Sequence, residues 1–370
     1  MTEHDPLQTK AYVPLNPLIA RQRMHHQHIR GEKFETPHDV VSAMGFLQAQ
    51  DYLGSLWAVG LRMKRSSEKS IELALAERSI VRTWPSRSTL GYTAAEDVRW
   101  VLDLLAPRAI AARQGRYRQL ELIEEDFRVS SRLIEVALNM KHQLTRQESF
   151  QVLERGGVST EGQRGIHILS HLAFQKLICF GPRSGKQQTF VLLDEWVPDL
   201  KSKPRSEGLS ELTLRFFTSH GPATLKDFAW WSGLTLADVK TGLEDVRSRL
   251  IEETIDGKEY WMAAVEPEPG TMNEGAVLLP GFDEYLVGYT DRSAVLDPEL
   301  ARHVNANGGM LNPIIVIDGL VKGTWTRKLK KDAVEVEAKC LKDPDGKELA
   351  AFELAAEKYG EFLGLKVRRR

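Results

Sequence analysis

Two glutamines separated by one alanine, Gln48 and Gln50, precede an apolar run with the spacing of a buried helix. Their amides donate and accept hydrogen bonds but do not take up a proton near neutral pH, so the pair could orient a bound molecule but could not act as a strong base. On a helix the two side chains would diverge by about 200°, whereas on an extended segment they point the same way. The pair can therefore serve one site only if residues 48–50 are extended. Otherwise the two residues are ordinary polar residues that cap the helix predicted over 53–63.

Two patterns that suggest metal or phosphate binding are incomplete. "GPRSGK", residues 181–186, is one residue short of a phosphate-binding loop, and Gln187 stands where a hydroxyl would bind magnesium. His167 and His171 have the i, i+4 spacing of zinc ligands, but no glutamate follows His167 and no third ligand is evident. We therefore expect no metal and no cofactor, and we interpret residues 181–186 as a hairpin tip.

Adjacent carboxylates, Asp283 and Glu284, lie within the apolar stretch "AVLLPGFDEYLVGY". If this stretch is a strand, neighbouring side chains point to opposite faces, so at most one carboxylate joins a given site. A structural role, such as pairing with Arg292, is the favoured interpretation.

The composition is that of a globular protein: 42% of the 370 residues are hydrophobic, and the formal net charge is −1. No run of about 18 apolar residues could span a membrane, and the N-terminal segment has no apolar signal core. Cys179 and Cys340 are far apart, which supports neither a disulfide framework nor a zinc ribbon. We expect a cytoplasmic protein with no membrane partner and no obligatory protein partner.

Positive charge is unevenly distributed along the chain. Arginines are concentrated between Arg99 and Arg132, and the chain ends in "KVRRR". A balanced total can therefore hide a basic face that attracts anionic partners. Arginines solvated along amphipathic helices are the alternative interpretation, and the charge pattern leaves both open.

Residues 209–264 form the clearest structural unit. A first helix is broken by "SHGPAT", a short second helix ends at Gly233, and a third begins at Thr235. Two alternating runs joined by Asp256-Gly257 then predict a β-hairpin. Three helices followed by a two-stranded wing define a winged helix-turn-helix, a fold that most often binds DNA through its third helix and its wing.

The same order of elements recurs twice upstream in weaker form. The first copy has helices over 18–29, from Pro37 and over 70–78, and the second has helices from Ser131, from Thr145 and around 162–178. The expected fold is mainly α with an α+β C-terminal part: three tandem winged helix-turn-helix modules followed by a β-rich unit with a closing helix. The predicted boundaries are an N-terminal arm over 1–17, a first module over 18–95, a connecting helix with a second module over 96–200, a third module over 205–266, a linker over 265–275 and an α+β unit over 275–370.

The expected partner of this arrangement is double-stranded DNA. Basic residues occupy two of the predicted wings, namely Arg82 and Arg87 in the first and Arg183 and Lys186 in the second. Contacts to phosphates supply affinity without reading sequence, so the pattern favours a protein that follows the DNA backbone.

Four phrases in order carry a resemblance to a known family: "VSAMGFLQAQDYLGSLWAVGLRM", "ERSIVRTWPSRSTLGY", "LLPGFDEYLVGYTDRSAVLDPE" and "VIDGLVKGTWTRK". From about Leu18 to the C-terminus the chain resembles the AlkZ/YcaQ family of winged-helix DNA glycosylases. The resemblance implies a channel for duplex DNA and the excision of alkylated purines, including those in interstrand crosslinks. Gln48-Ala49-Gln50 match the family's catalytic Gln–apolar–Gln motif residue for residue. The hairpin "IDGLVKGTWTRK", with Lys322, Trp325 and Arg327, matches one that approaches DNA in the family.

The chain departs from the family pattern after Trp84, the tryptophan of the first predicted wing. Many relatives carry "MRGTLH" there, whereas this chain has "SRSTLG", residues 86–91. Arg87 and Thr89 are retained as expected DNA contacts, but Gly91 replaces the histidine. This replacement bears on substrate range and activity.

The resemblance gives the two amides a plausible reaction. A purine alkylated at N7 or N3 is cationic and leaves without a general acid, so the remaining task is to position water at the sugar carbon and stabilise an oxocarbenium ion. Gln48 and Gln50 are the expected catalytic residues of a monofunctional glycosylase, and Asp51 is a second choice as base. The alternative hypothesis is a non-catalytic winged-helix protein, regulatory or architectural, that binds DNA.

Overall fold

The computed structural model describes residues 15–87, 89–198, 202–264, 275–306, 309–340 and 343–369. Most of the predicted arm and nearly all of the predicted linker lie outside these ranges. No helix among the described residues is both long enough and apolar enough to cross a membrane.

The N-terminal part combines four helices with a three-stranded sheet. Thr36 and Ser67 begin the second and fourth of these helices with reciprocal capping boxes. The sheet has the order β1-β3-β2 and is antiparallel. The elements are α1 (Pro17–His26), α2 (Pro37–Met44), β1 (Leu47–Gln48), α3 (Tyr52–Gly60), α4 (Glu68–Ala76), β2 (Ile80–Ser86) and β3 (Thr89–Ala94).

Helix α1 packs away from the other helices of this part. Ile19 and Met24 join an apolar cluster with Tyr285 and with the C-terminal sheet, whereas α2, α3 and α4 share a different core. Arg23 of α1 also lies 3.5 Å from the Tyr289 ring centroid. The helix expected as the start of the first module thus belongs by its packing to the C-terminal part, because its apolar face meets that part.

A long helix leads into the second group of elements. Thr145 begins α7 with a capping box to Glu148, as its position predicts. The helix expected from Ser131 begins earlier, at Glu124. The elements are α5 (Val98–Gln119), α6 (Glu124–Lys141), β4 (Leu144–Thr145), α7 (Arg146–Arg155), α8 (Arg164–Phe174), β5 (Ile178–Phe180), β6 (Thr189–Leu192) and α9 (Leu193–Trp196).

Residues 205–262 form three helices and a hairpin, as predicted. Gly233 ends the second helix in a left-handed conformation, with φ of 78°. Asp256 and Gly257 turn the hairpin with φ of 51° and 73°, as the predicted tight turn requires. The elements are α10 (Arg205–His220), α11 (Leu225–Ser232), α12 (Leu236–Val246), β7 (Ile251–Ile255) and β8 (Lys258–Met262).

The C-terminal part is a five-stranded sheet with the order β13-β12-β11-β10-β9. Asp318 and Gly319 form the predicted turn, with φ of 52° and 81°. The basic C-terminal segment forms a strand parallel to β12, which the sequence did not indicate. The elements are β9 (Ala276–Leu279), α13 (Glu284–Val287), α14 (Pro298–Val304), β10 (Ile314–Ile317), β11 (Leu320–Leu329), β12 (Ala333–Cys340), α15 (Gly346–Leu363) and β13 (Lys366–Arg369).

The N-terminal helices and the C-terminal sheet share one hydrophobic core. Trp57 of α3 packs against Tyr359 and Phe362 of α15. The indole N–H groups of Trp57 and Trp325 donate to the carbonyls of Leu278 and Leu279 at 2.7 and 2.9 Å. Helix α3, which follows the two glutamines, is therefore held against the C-terminal part of the chain.

Candidate active site

Leu47 and Gln48 form a short strand, and Gln50 lies at the bend that follows Ala49. Leu47 and Gln48 pair with Tyr92 and Gly91 of β3, and the Ala49 N–H donates to the Leu90 carbonyl at 2.7 Å. Ala49 lies in the apolar core. Strand alternation therefore places Gln48 on the face opposite to Ala49.

The two glutamine side chains have different surroundings. Gln48 is 8% exposed, and its Oε1 is buried without a hydrogen-bond donor among the described residues. Gln50 is exposed, and its Oε1 accepts from the Leu90 N–H at 3.3 Å. A buried carbonyl oxygen ordinarily has a partner, either in the protein or in an ordered water. The Gln48 Oε1 is thus one of the exceptions to this rule among the described residues.

The backbone around the glutamines is fixed by two charged side chains. The Gln48 N–H, at the edge of β1 away from β3, donates to Glu284 Oε1 at 2.7 Å. Arg82 donates from Nη2 to the Ala49 carbonyl at 2.8 Å and from Nη1 to Gln188 Oε1 at 2.9 Å. Together with the bond from the Ala49 N–H to the Leu90 carbonyl, these bonds engage the Gln48 N–H and both backbone groups of Ala49. They therefore oppose a shift of the segment.

The Arg82 side chain is turned inward rather than toward DNA. It is 4% exposed, its guanidinium carbon lies 4.7 Å from the Phe180 ring centroid, and burial lowers its pKa. A contact between Arg82 and a phosphate would require these bonds to break. The geometry therefore supports a role for Arg82 in holding the Ala49 carbonyl and does not support its expected role as a backbone contact.

Asp51 lies at the N-terminal end of α3 but makes no capping hydrogen bond there. Its Oδ2 lies 3.0 Å from Arg327 Nη2, and Arg327 is itself 6.0 Å from the Tyr359 ring centroid. Arg327, expected at the DNA, thus binds the acid next to the motif. Asp51 is engaged by this cation, which agrees with its rank as a second choice for a base.

Arg87 and Thr89 lie at the turn between β2 and β3. The Arg87 guanidinium carbon is 4.6 Å from the Trp230 ring centroid, and burial lowers the pKa of Arg87 while the Glu284 charge opposes that shift. Thr89 donates from Oγ1 to the Ser86 carbonyl at 3.3 Å. Contact of Arg87 and Thr89 with DNA stays a prediction, and the exposed Trp230 ring lies beside them.

The hairpin between β5 and β6 meets α3 and α4 next to the motif. Arg183 Nη1 lies 3.2 Å from Glu72 Oε1 and its guanidinium carbon lies 4.8 Å from the Tyr52 ring centroid, while Lys186 at the tip is exposed. A cavity of about 310 Å³ opens here, and its lining includes Arg82, Arg183, Tyr52, Glu72 and Phe180. The segment "GPRSGK" is thus a hairpin connection.

In the C-terminal hairpin, Lys322 is exposed and lies 3.3 Å from Glu348 Oε1. Trp325 is 0% exposed and packs edge-on against Tyr359. An aromatic side chain in the shared core cannot reach DNA while the fold is intact, so the geometry does not support the expected DNA contact of Trp325. The alternation of β11 explains this, because Trp325 points to the core and its neighbours Thr324 and Thr326 do not share that direction.

Gly91 is required by its neighbour Pro85. A Cβ at position 91 would lie 2.7 Å from Pro85 Cγ and 3.2 Å from the Leu47 carbonyl oxygen. The family histidine at this position would therefore collide with the proline ring directly beside the motif. Gly91 is the strand partner of Gln48, so Gly91 and the Pro85 ring lie next to Gln48.

One of the two adjacent carboxylates, Glu284, contacts the motif, whereas the other, Asp283, does not. Asp283 pairs with Arg62 at 2.9 Å, not with Arg292, which donates to the Leu286 carbonyl instead. Glu284 is 1% exposed and, besides accepting from Gln48, accepts from Trp231 Nε1 at 3.0 Å. The signal for a site role was two carboxylates in an apolar stretch, but their partners Arg62 and Gln48 are more than 200 residues away and no local pattern identifies them.

Among the described residues, no group of three histidine, cysteine, aspartate or glutamate side chains is placed to hold a metal ion. His171 lies 3.2 Å from the Tyr117 hydroxyl and stacks on Phe127. Burial lowers the pKa of His171 to about 4, and nearby Arg113 adds to the effect. The two spaced histidines thus belong to a core.

Comparison with known proteins matches the sequence and the fold to a class of enzyme. The family model "DNA glycosylase AlkZ-like" matches residues 41–362. The fold is similar to that of Streptomyces sahachiroi DNA glycosylase AlkZ, with a TM-score of 0.77 and 23% identity over 97% of this chain and 100% of that chain. An "Interstrand DNA cross-link repair glycosylase" of the same organism is 26% identical over 349 residues, which cover 85% of this chain and 92% of the relative.

The class defined by the fold and the sequence match is that of the DNA glycosylases, enzymes that act on N-glycosyl bonds. The chain belongs to the AlkZ-like DNA glycosylase family.

Proposed function

We propose that this protein is a cytoplasmic DNA glycosylase that hydrolyses the N-glycosidic bond of purines alkylated at N7 or N3, with Gln48 and Gln50 positioning the attacking water. The observation that carries the proposal is the buried Gln48 Oε1, which lacks a donor among the described residues and sits on a short strand fixed from both sides. Buried carbonyl oxygens without a protein donor are ordinarily satisfied by an ordered water molecule.

The reaction needs little from the protein beyond orientation. The bond between the sugar carbon and the cationic purine breaks, its electron pair neutralises the purine, and an oxocarbenium ion remains. Water held by the glutamine carbonyl oxygens attacks this carbon, and the proton that it loses goes to bulk water. Fixed polar groups that are aimed at developing charge stabilise such a transition state without reorganising.

The DNA surface of the proposal combines three winged-helix modules with the C-terminal hairpin. Supporting it are three successive groups of helices that each end in an antiparallel pair of strands. Arg87, Thr89, Arg183, Lys186 and Lys322 are the proposed DNA contacts, and Arg327 is proposed to reach DNA while it holds Asp51. The relative from Streptomyces sahachiroi is an interstrand cross-link repair glycosylase, so crosslinked purines are the second proposed substrate.

The test uses duplex oligonucleotides that carry either one N7-methylguanine or one N7-linked interstrand crosslink. Released base is measured by chromatography, and abasic sites by alkaline strand cleavage. We expect release by the wild-type protein and a loss of about 100-fold or more in single-turnover rate for Gln48→Ala and Gln50→Ala. The matched control is Gln119→Ala, because Gln119 is an exposed glutamine that accepts from neighbouring Arg116 at 2.9 Å.

Three outcomes decide the proposal. Release from the monoadduct and the crosslink supports both substrates, and release from the monoadduct alone restricts the substrate to single lesions. Binding of DNA without release from either would support a non-catalytic DNA-binding protein and overturn the proposal. Binding is measured separately by fluorescence anisotropy at low salt.

A further inference from the structure

The Glu284 carboxylate connects three distant parts of the chain. Oε1 accepts from the Gln48 N–H at 2.7 Å, and Oε2 accepts from Trp231 Nε1 at 3.0 Å. Oε2 also lies 3.4 Å from His220 Nε2. The side chain is 1% exposed, so water does not compete for these bonds.

A buried carboxylate that joins two elements costs free energy, because its removal from water must be offset by good hydrogen bonds. The apolar neighbours of α13, Leu286 and Val287, already bury this short helix in the C-terminal part. The position of the carboxylate is specific: it occupies the free edge of β1, opposite the strand partner β3. Without it, the Gln48 N–H would be a buried donor with no strand to bind.

We propose that Glu284 is a positioning residue for Gln48: its carboxylate sets the backbone of Gln48 and thereby the direction of the amide that orients the attacking water. The inference rests on the proposed function of Gln48. Glu284 acts through a hydrogen bond and does not touch the substrate. Trp231, stacked on Phe46 at 3.8 Å between ring centroids, in turn holds the second carboxylate oxygen and thus ties the motif to α11.

The expected effect follows from the sensitivity of catalysis to geometry. A displacement of about 1 Å at a reacting group can lower the rate by about 100-fold. Loss of the Glu284 bond frees the outer edge of β1, while Leu90 and Arg82 still hold Ala49. We therefore expect Glu284→Ala to lower the single-turnover rate of base release by about 10- to 100-fold and to change the Kd for DNA by less than about twofold.

A matched control separates positioning from stability. Asp227 is likewise a buried carboxylate between α11 and the segment after α13, since it accepts from Thr290 N at 2.8 Å and from Thr224 N at 2.9 Å. It makes no contact with the motif among those that the described residues show. We expect Asp227→Ala and Glu284→Ala both to lower the melting temperature, but we expect Asp227→Ala to leave the rate of base release by the folded protein unchanged.

A paired substitution tests whether the hydrogen bond or the charge of Glu284 is needed. In Glu284→Gln with Trp231→Phe, the amide oxygen can accept from Gln48, the amide N–H can donate to His220 Nε2, and no indole N–H faces the amide. We expect this double variant to release base within about threefold of Trp231→Phe alone. Glu284→Ala with Trp231→Phe, in contrast, should remain as slow as Glu284→Ala.

The outcomes distinguish this inference from the function on which it rests. If Gln48→Ala releases base as fast as the wild type, the proposed function fails and the inference fails with it. If Gln48→Ala is inactive while folded Glu284→Ala keeps the wild-type rate, the inference alone is wrong. The inference would also be overturned if Glu284→Gln with Trp231→Phe had the melting temperature of Trp231→Phe but did not recover its rate of base release.

Discussion

Substitution of Arg62 by methionine removes the cation from a fully buried ion pair. Arg62 is 0% and Asp283 1% exposed at the side chain, and the guanidinium binds both carboxylate oxygens at 2.9 and 3.0 Å. It also donates to Gln27 Oε1 at 2.9 Å and to the Ala58 carbonyl at 2.8 Å. Methionine fills a similar volume but leaves Asp283 buried without its partner.

The expected loss is about 3–5 kcal/mol in the free energy of unfolding, the range found when one member of a buried pair is removed. The unpaired Gln27 acceptor falls within that figure, because its own penalty is about 1–3 kcal/mol. Replacing Asp283 by leucine in the same chain removes the stranded charge and should recover about 2 kcal/mol. Asp283 also accepts from the Tyr285 N–H at the start of α13, so recovery remains incomplete.

The assay is urea unfolding followed by both tryptophan fluorescence and far-UV circular dichroism, with midpoints and slopes compared between variants. Arg62→Lys is a useful third variant, because it keeps a charge but cannot bind both oxygens. A loss below about 1 kcal/mol for Arg62→Met would refute the reasoning. So would a double variant less stable than Arg62→Met, since that would mean that the lone carboxylate is not the source of the loss.

Three further predictions concern the motif and its surroundings. Gly91→Ala should lower the free energy of unfolding by about 1–3 kcal/mol through overpacking against the proline ring, and Pro85→Ala in the same chain should recover most of it; equal melting temperatures for wild type and Gly91→Ala would contradict this. Arg82→Met should slow base release with little change in the Kd for DNA, whereas Lys186→Ala should weaken binding and reduce the salt slope by about one; the reverse pattern would return Arg82 to the DNA surface. Burial lowers the pKa of His26 from 6.5 to about 4, so the unfolded chain binds more protons between these values, and His26 removes about 1.4 kcal/mol of stability for each unit by which the pH falls from 6.5 to 4. The pKa of His171 is lowered in the same way, so His26→Asn, whose side-chain N–H can still donate to the Thr218 carbonyl, should reduce the slope of stability against pH without removing it; an unchanged slope in urea unfolding measured from pH 7 to 4 would contradict this.

Elements that depend on local signals are predictable from this sequence. Thr145 and Thr235 begin their helices with capping boxes, and Asp256-Gly257 and Asp318-Gly319 turn their hairpins with positive φ. In each case the residues that specify the feature are within a few positions of it. The short strand at Gln48 also follows from such reasoning, because a shared role for two side chains with one residue between them requires a strand-like backbone.

Features that depend on distant partners could not be predicted from the sequence. Helix α1 packs with the C-terminal sheet, and Trp325 and Arg82 face inward, although all three lie in segments with ordinary amphipathic or basic patterns. The sequence does not distinguish an arginine near a wing whose guanidinium binds a phosphate from one whose guanidinium binds a carbonyl oxygen. Glu284 shows the limit most clearly, since its bond to Gln48 spans 236 positions.

That span has a consequence for the synthesis of the protein. The ribosome adds about 5–20 residues per second, so roughly 10–50 s pass between the emergence of the glutamines and that of the glutamate which secures them. During this interval the Gln48 N–H lacks its carboxylate acceptor, whereas Leu90 and Arg82 can already hold Ala49. The geometry that we propose for fast base release is therefore complete only when the last quarter of the chain is being made.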